Sequence, residues 1–201
     1  MNTKQVKIRT EKRTNKITNV LSKRFDEVTI VMENINDVHN LSAAIRSCDA
    51  VGMNEINVIY YGSQKMPKLG NKSSASAKKW VKINYFNSID ECYSQLRKEG
   101  KKIYTTKMDN KSHSLYDLQF DSPMALVFGN EHSGISYEAH NKADGNFLIP
   151  QVGMIQSLNI SVAVAVSVYE VYRQRNNKNL FDNLQLEQNK YNSVLKAWLE
   201  K

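Results

Sequence analysis

Residues 28–60 read VTIVMENINDVHNLSAAIRSCDAVGMNEINVIY, and the pattern of this stretch decides the fold class. Val28-Thr29-Ile30-Val31-Met32 is an apolar, largely β-branched run and reads as a strand. Asn40 then opens a helix, because its side chain can accept a hydrogen bond from an early helical N–H. That helix is expected to run to Val51, with Gly52 just past its end as the C′ residue. Ile56-Asn57-Val58-Ile59-Tyr60 is the next strand. Strand, helix, strand in this order is a βαβ unit, which implies parallel strands.

Working outward, the pattern continues. Residues 11–24 read as a basic helix with Ile17, Val20 and Leu21 at helical spacing. Residues 62–79 combine Gly62, Pro67 and Gly70 with serines and lysines, the composition of a long loop. Residues 80–85 form a strand, and a helix around Ile89, Cys92 and Leu96 ends at Gly100. Lys102–Thr106 and Met124–Phe128 are strands, residues 137–142 a short helix, and Phe147–Pro150 a short buried strand. Residues 160–172 stay ambiguous: Val162, Val164, Val166 and Val168 alternate as in a strand, yet the segment flows without a turn into a helical-looking 169–175. A final amphipathic helix is expected over 180–200. The alternation gives an α/β fold with a mostly parallel sheet.

The 201 residues allow one domain with a sizeable core and a small appendage. No apolar run is long enough to span a membrane, and the polar, basic start is no secretory signal, so a soluble cytoplasmic protein is expected. Cys48 and Cys92 form no CxxC and read as reduced structural thiols. The four histidines show no ligand spacing, so no metal is expected. The net charge of +8 suggests a polyanionic partner. Lys4, Lys7, Arg9, Lys12, Arg13, Lys16, Lys23 and Arg24 face one acid, Glu11, and Lys65, Lys68, Lys72, Lys78 and Lys79 form a second cluster. Such segments suit a grip on phosphates. Of these, Lys12, Arg13, Lys16, Arg24, Lys78 and Lys79 are the candidate nucleic-acid contacts.

In open α/β sheets ligands bind beyond the carboxyl ends of strands. Three unusual loops fall there. Residues 34–46 carry Asn40 and, inside the helix, Arg46. Residues 128–136 deliver Asn130, Glu131 and His132 between Gly129 and Gly134. Residues 149–161 set Gly153, Ser157 and Asn159 at the mouth of the last segment of the domain. Each alone reads as an ordinary helix entry or turn. No GxGxxG occurs, so a dinucleotide site lacks support.

Together, Val38-His39-Asn40-Leu41-Ser42-Ala43-Ala44-Ile45-Arg46, Phe128-Gly129-Asn130-Glu131 and Gln156-Ser157-Leu158-Asn159-Ile160-Ser161 resemble the three signature motifs of the SpoU/TrmH family of SPOUT-superfamily RNA methyltransferases, in order and spacing. The short basic N-terminal helix resembles the branch that methylates guanosine 18 of tRNA. The resemblance implies a knotted parallel sheet with a deep C-terminal trefoil knot, flanked by helices. It divides the chain into a basic N-terminal extension (1–26), a methyltransferase domain (27–175) and a C-terminal helical extension (176–201). It also implies that residues 159–174 are helical. By matching positions, Thr106, Gly129, Ile149 and Leu158 would contact S-adenosylmethionine, while Asn40, Arg46, Glu131, Ser157 and Asn159 would form the catalytic and RNA-binding set. The family works as a homodimer with active sites shared between subunits. The implied activity is methyl transfer to a ribose 2′-hydroxyl of tRNA, with no DNA or membrane partner. The same chemistry on rRNA or the anticodon loop, and a catalytically silent RNA-binding module, are the competing readings. An arginine stays protonated at neutral pH, so Arg46 is expected to grip a phosphate bidentately rather than act as a base.

Overall fold

The computed structural model describes residues 10–62, 67, 77–107 and 112–201. Lys4, Lys7, Arg9, Lys65, Lys68 and Lys72 lie outside the described residues. Among the described residues seven strands form one sheet: β1 (Val28–Glu33), β2 (Glu55–Ile59), β3 (Lys82–Phe86), β4 (Lys102–Thr106), β5 (His113–Ser114), β6 (Met124–Phe128) and β7 (Gly145–Leu148), in the order β3-β2-β1-β6-β4-β7-β5. Every pairing is parallel.

The alternation of side chains along each strand builds two cores. Val28, Ile30 and Met32 of β1, with Met124, Leu126 and Phe128 of β6, face one side. There they meet α2 (Val38–Val51) and α5 (Ile160–Asn177), which pack on each other. Val31, Ala125 and Val127 face the other side, against α3 (Ile89–Lys98) and α4 (Tyr137–Asn141). Both layers are needed because an internal parallel strand is apolar on both faces. Cys48 and Cys92 are buried in opposite cores. Burial pushes the thiol of Cys92 up to about 12 and that of Cys48 higher still, so both are inert.

The third layer joins the chain ends. Ile17 and Leu21 of α1 (Glu11–Leu21) pack on Leu186 and on Trp198 of α6 (Gln188–Leu199). Arg24 just beyond α1 is fully buried. Its guanidinium pairs with Asp49, donates to the Met53 carbonyl at 2.6 Å and lies 5.2 Å from the centre of the Trp198 ring. The expectation that Arg24 contacts nucleic acid is therefore corrected: its charge is consumed in tying α1 and α6 to the end of α2.

Two local expectations also change, and the helix that the resemblance implies at 159–174 is present. Helix α2 starts at Val38, and Asp37 rather than Asn40 is its cap, accepting from the His39 N–H at 2.7 Å. Residues 160–177 are helical: Val164, Val168 and Val171 are buried while Val162 and Tyr169 are exposed, a helical rather than a two-residue period. The final helix begins only at Gln188, because Asn179 adopts φ 55° and a short 3-10 turn at Leu180–Asp182 interrupts the segment.

Candidate active site

The loops after β4, β6 and β7 converge at the carboxyl edge of the sheet around a cavity of about 520 Å³, and the loop after β1 is bonded to its wall. Thr106, Gly129, Ile149 and Leu158 all line it, as do Glu131, Ser157 and Asn159. Asn40 does not line the cavity but is bonded to two residues that do. Its Nδ2 donates to Glu131 Oε1 at 3.0 Å, and its Oδ1 accepts from Asn159 Nδ2 at 3.1 Å. The three sequence motifs are thus joined by one side-chain chain, Glu131–Asn40–Asn159. Arg46 stands apart: it is exposed on α2 and does not line the cavity of its own chain.

Each member is set by its local structure. Asn159 caps α5, its Oδ1 accepting from the Ser161 N–H at 2.9 Å. Ser157 makes no such cap and is exposed on the cavity rim. Glu131 also accepts from the N–H groups of Asn36 and Asp37, at 3.2 and 3.4 Å. Burial raises the pKa of Glu131, but these bonds, led by the one from Asn40, outweigh it and hold the carboxyl below its ordinary value. It stands as a charged clasp between two loops rather than as a proton donor.

Gly129 is required for a reason sequence reading did not isolate. A Cβ there would lie 2.2 to 2.3 Å from backbone atoms of Gly134 and Ile135. The loop closes on itself at that point, with Asn130 and Gly134 exchanging N–H···O bonds of 3.0 and 2.9 Å. Gly134 takes φ +67°, which favours glycine.

Sequence reading missed two organisers. Glu33, 2% exposed at the tip of β1, accepts from the Tyr61 hydroxyl and from the Ser136 N–H at 3.1 Å, tying the β6 loop down. Asn130 accepts from the N–H groups of His132 and Ser133 and donates to the Asn34 carbonyl at 2.6 Å. The available signal was a carboxylate closing an otherwise apolar strand, since a buried charge must be paired or hydrogen-bonded.

The cavity suits a small organic molecule in size. Phe147, Ile135, Leu148 and Ala163 supply apolar wall. The main-chain N–H and C=O of Leu158 find no backbone partner among the described residues, leaving a donor and an acceptor for a ligand. Of the candidate nucleic-acid contacts, Lys12, Arg13, Lys16 and Lys79 are exposed and Lys78 is half-buried.

Comparison with known proteins agrees with this geometry. Residues 27–169 match the SpoU rRNA Methylase family. The chain is similar to the tRNA (guanosine(18)-2'-O)-methyltransferase of Thermus thermophilus, with 37% identity over 96% of this chain and 98% of that protein. It is 33% identical to the Escherichia coli protein of the same name, over 83% of this chain and 72% of that one. The crystal structure of the Aquifex aeolicus TrmH/SpoU tRNA modifying enzyme superposes with a TM-score of 0.86 at 32% identity, covering 94% and 95% of the two chains. The SpoU methyltransferase AviRb of Streptomyces viridochromogenes, in complex with the cofactor AdoMet, superposes with a TM-score of 0.65 at 26% identity, over 76% of this chain and 59% of that one. With its three motifs gathered at one cavity and the match spanning most of its length, this chain belongs to the SpoU methylase family.

Proposed function

We propose that the chain transfers a methyl group from S-adenosylmethionine to a ribose 2′-hydroxyl of tRNA, at guanosine 18 of the D-loop, and works as a cytoplasmic homodimer. The observation that carries this reading is the Glu131–Asn40–Asn159 chain, which fixes three loops around a cavity lined by Thr106, Gly129, Ile149 and Leu158. The Thermus thermophilus relative named for guanosine 18 methylation aligns over 96% of this chain. The domain is the segment 27–175, threaded as a trefoil knot at its C-terminal half, with 1–26 and 176–201 as an added helical layer.

The donor and acceptor of the Leu158 main chain, with the apolar wall, fit S-adenosylmethionine. That molecule supplies a methyl group already activated on a sulfonium. The protein's work is to align the ribose oxygen and to manage its proton. Asn159 and Asn40 hold the two walls in register, and the Glu131 clasp keeps the cavity loop closed. Arg46 lies six residues past Asn40, about 9 Å along the helix axis and about 120° around it. This places it away from its own cavity, and the partner subunit's Arg46 completes the site. Its guanidinium grips a phosphate bidentately beside the reacting ribose, and a phosphate oxygen or water takes the hydroxyl proton.

A second copy has a surface to sit on. Val152 and Met154 beside the cavity are fully exposed, and Ile155 and, two turns apart on one face of α5, Val162 and Tyr169 are each about half exposed. Exposed apolar area of this kind marks an interaction surface.

The test is incubation with methyl-labelled S-adenosylmethionine and unmodified tRNA, followed by alkaline hydrolysis. A 2′-O-methyl group protects the adjoining phosphodiester, so label in one alkali-resistant dinucleotide containing guanosine 18 is expected. Label in mononucleotides, or on a base, overturns the proposal.

A further inference from the structure

A second cavity, of about 660 Å³, lies at the opposite edge of the sheet, between β3, the 3-10 turn at Ala77–Lys79 and α6. It shares no lining residue with the catalytic cavity. Among the described residues, five lysines and no acid line it. Lys190 is held by Asp26 at 2.6 Å, but Lys79 is exposed and Lys82 keeps 65% of its side chain in solvent, with only a 3.4 Å contact to Glu55. Between the lysines stand aromatic rings. Tyr85 is 56% exposed, and Trp80 is half-buried against Trp198 at 5.1 Å between ring centres.

We propose that this groove binds one unpaired nucleotide of the RNA substrate, its base stacked on Tyr85 and its phosphate held by Lys79 and Lys82. Planar rings beside cations are the pattern that single-stranded nucleic acid requires: every base has a face to stack, and every phosphate a charge to neutralise. An acidic peptide would use the lysines but leave the exposed ring unused. The groove would give the enzyme a foothold remote from the reacting ribose, so that an unpaired nucleotide elsewhere in the tRNA helps place the D-loop. This rests on the reading that the substrate is RNA.

The chain carries its own reporter, since both of its tryptophans, Trp80 and Trp198, line the groove. A single-stranded RNA oligomer of about ten nucleotides is titrated into the full-length protein and the tryptophan fluorescence followed. Saturable quenching is expected. Tyr85→Ala should weaken binding about five-fold or more. Lys79→Gln should flatten the dependence of log K on log salt by about 0.7. Tyr116→Ala, which removes an equally exposed ring outside the groove, should bind as wild type. Absence of quenching, or binding by Tyr85→Ala and Lys79→Gln indistinguishable from wild type, overturns the proposal. If tRNA is methylated while both variants bind normally, the groove falls alone. If no tRNA is methylated but Tyr85→Ala still weakens oligomer binding, the groove stands and the proposed activity falls.

Discussion

Replacing Asn40 by Asp probes the chain that joins the three loops. The substitution keeps shape and volume but turns the Nδ2 donor into a carboxylate oxygen, 3.0 Å from Glu131 Oε1. Two carboxylates at that distance repel by about 5 kcal/mol at an effective dielectric constant of 20. Both groups are only partly buried, so solvent screening and relaxation reduce the net cost to about 2 kcal/mol. Because Glu131 clasps the loop that walls the cavity, the cost falls on the cavity's shape, and S-adenosylmethionine should bind about 30-fold more weakly at neutral pH. The pair can also share a proton, which raises one of its pKa values. Affinity of the Asn40→Asp protein should therefore recover as the pH is lowered from 7.5 toward 5, while wild type shows no such gain. Isothermal titration calorimetry at several pH values reads both effects. An Asn40→Asp protein with wild-type affinity and no pH dependence would show that the Glu131–Asn40 bond does not hold the cavity loop.

In the wild-type protein the sign is opposite. The pKa of Glu131 is depressed in the folded state, so its contribution is present above the unfolded carboxylate value of about 4.3 and is lost as the pH falls through the lower folded value. Cofactor affinity measured by calorimetry should be level from neutral pH to about 5 and drop below about 4. Gly129→Ala forces a Cβ into the backbone of Gly134 and Ile135, so the loop must open. Its cofactor affinity should fall at least about ten-fold, with far-ultraviolet circular dichroism unchanged. Arg24→Met removes a buried guanidinium from Asp49 and the Met53 carbonyl. Chemical denaturation should show a loss of about 3 kcal/mol, whereas Arg13→Ala, on the exposed face of α1, should leave stability unchanged and weaken tRNA binding.

The apolar runs at Val28–Met32 and Met124–Phe128 made the parallel sheet legible, because strands buried on both faces admit few other residues. Which loops would meet was legible only through the strand-tip rule and the resemblance of the motifs. Charge carries no record of burial, so Arg24 read like its exposed neighbours. Local pattern could not place 160–177 either. Its valines alternate, but with the helix packed on α2 Val164, Val168 and Val171 are buried, Val166 is partly buried and Val162 is exposed. Asn40 read as a helix cap because it precedes the apolar stretch. The true cap, Asp37, lies one turn earlier and frees Asn40 for the Glu131–Asn159 bridge. The need for Gly129 depends on a contact five and six residues away, which periodicity does not reveal.

If methyl transfer occurs, as proposed, in the strand-tip cavity of one chain under the guanidinium of another, mixing two disabled chains should restore activity. Arg46→Ala protein, and Gly129→Ala protein assayed with S-adenosylmethionine far below its weakened dissociation constant, should each show little activity on tRNA. Unfolded together and refolded in equal amounts, half of the dimers pair one of each, and one site in each such dimer is intact, so about a quarter of wild-type activity should return. A mixture as inactive as its components, although hybrid dimers have formed, would contradict the account.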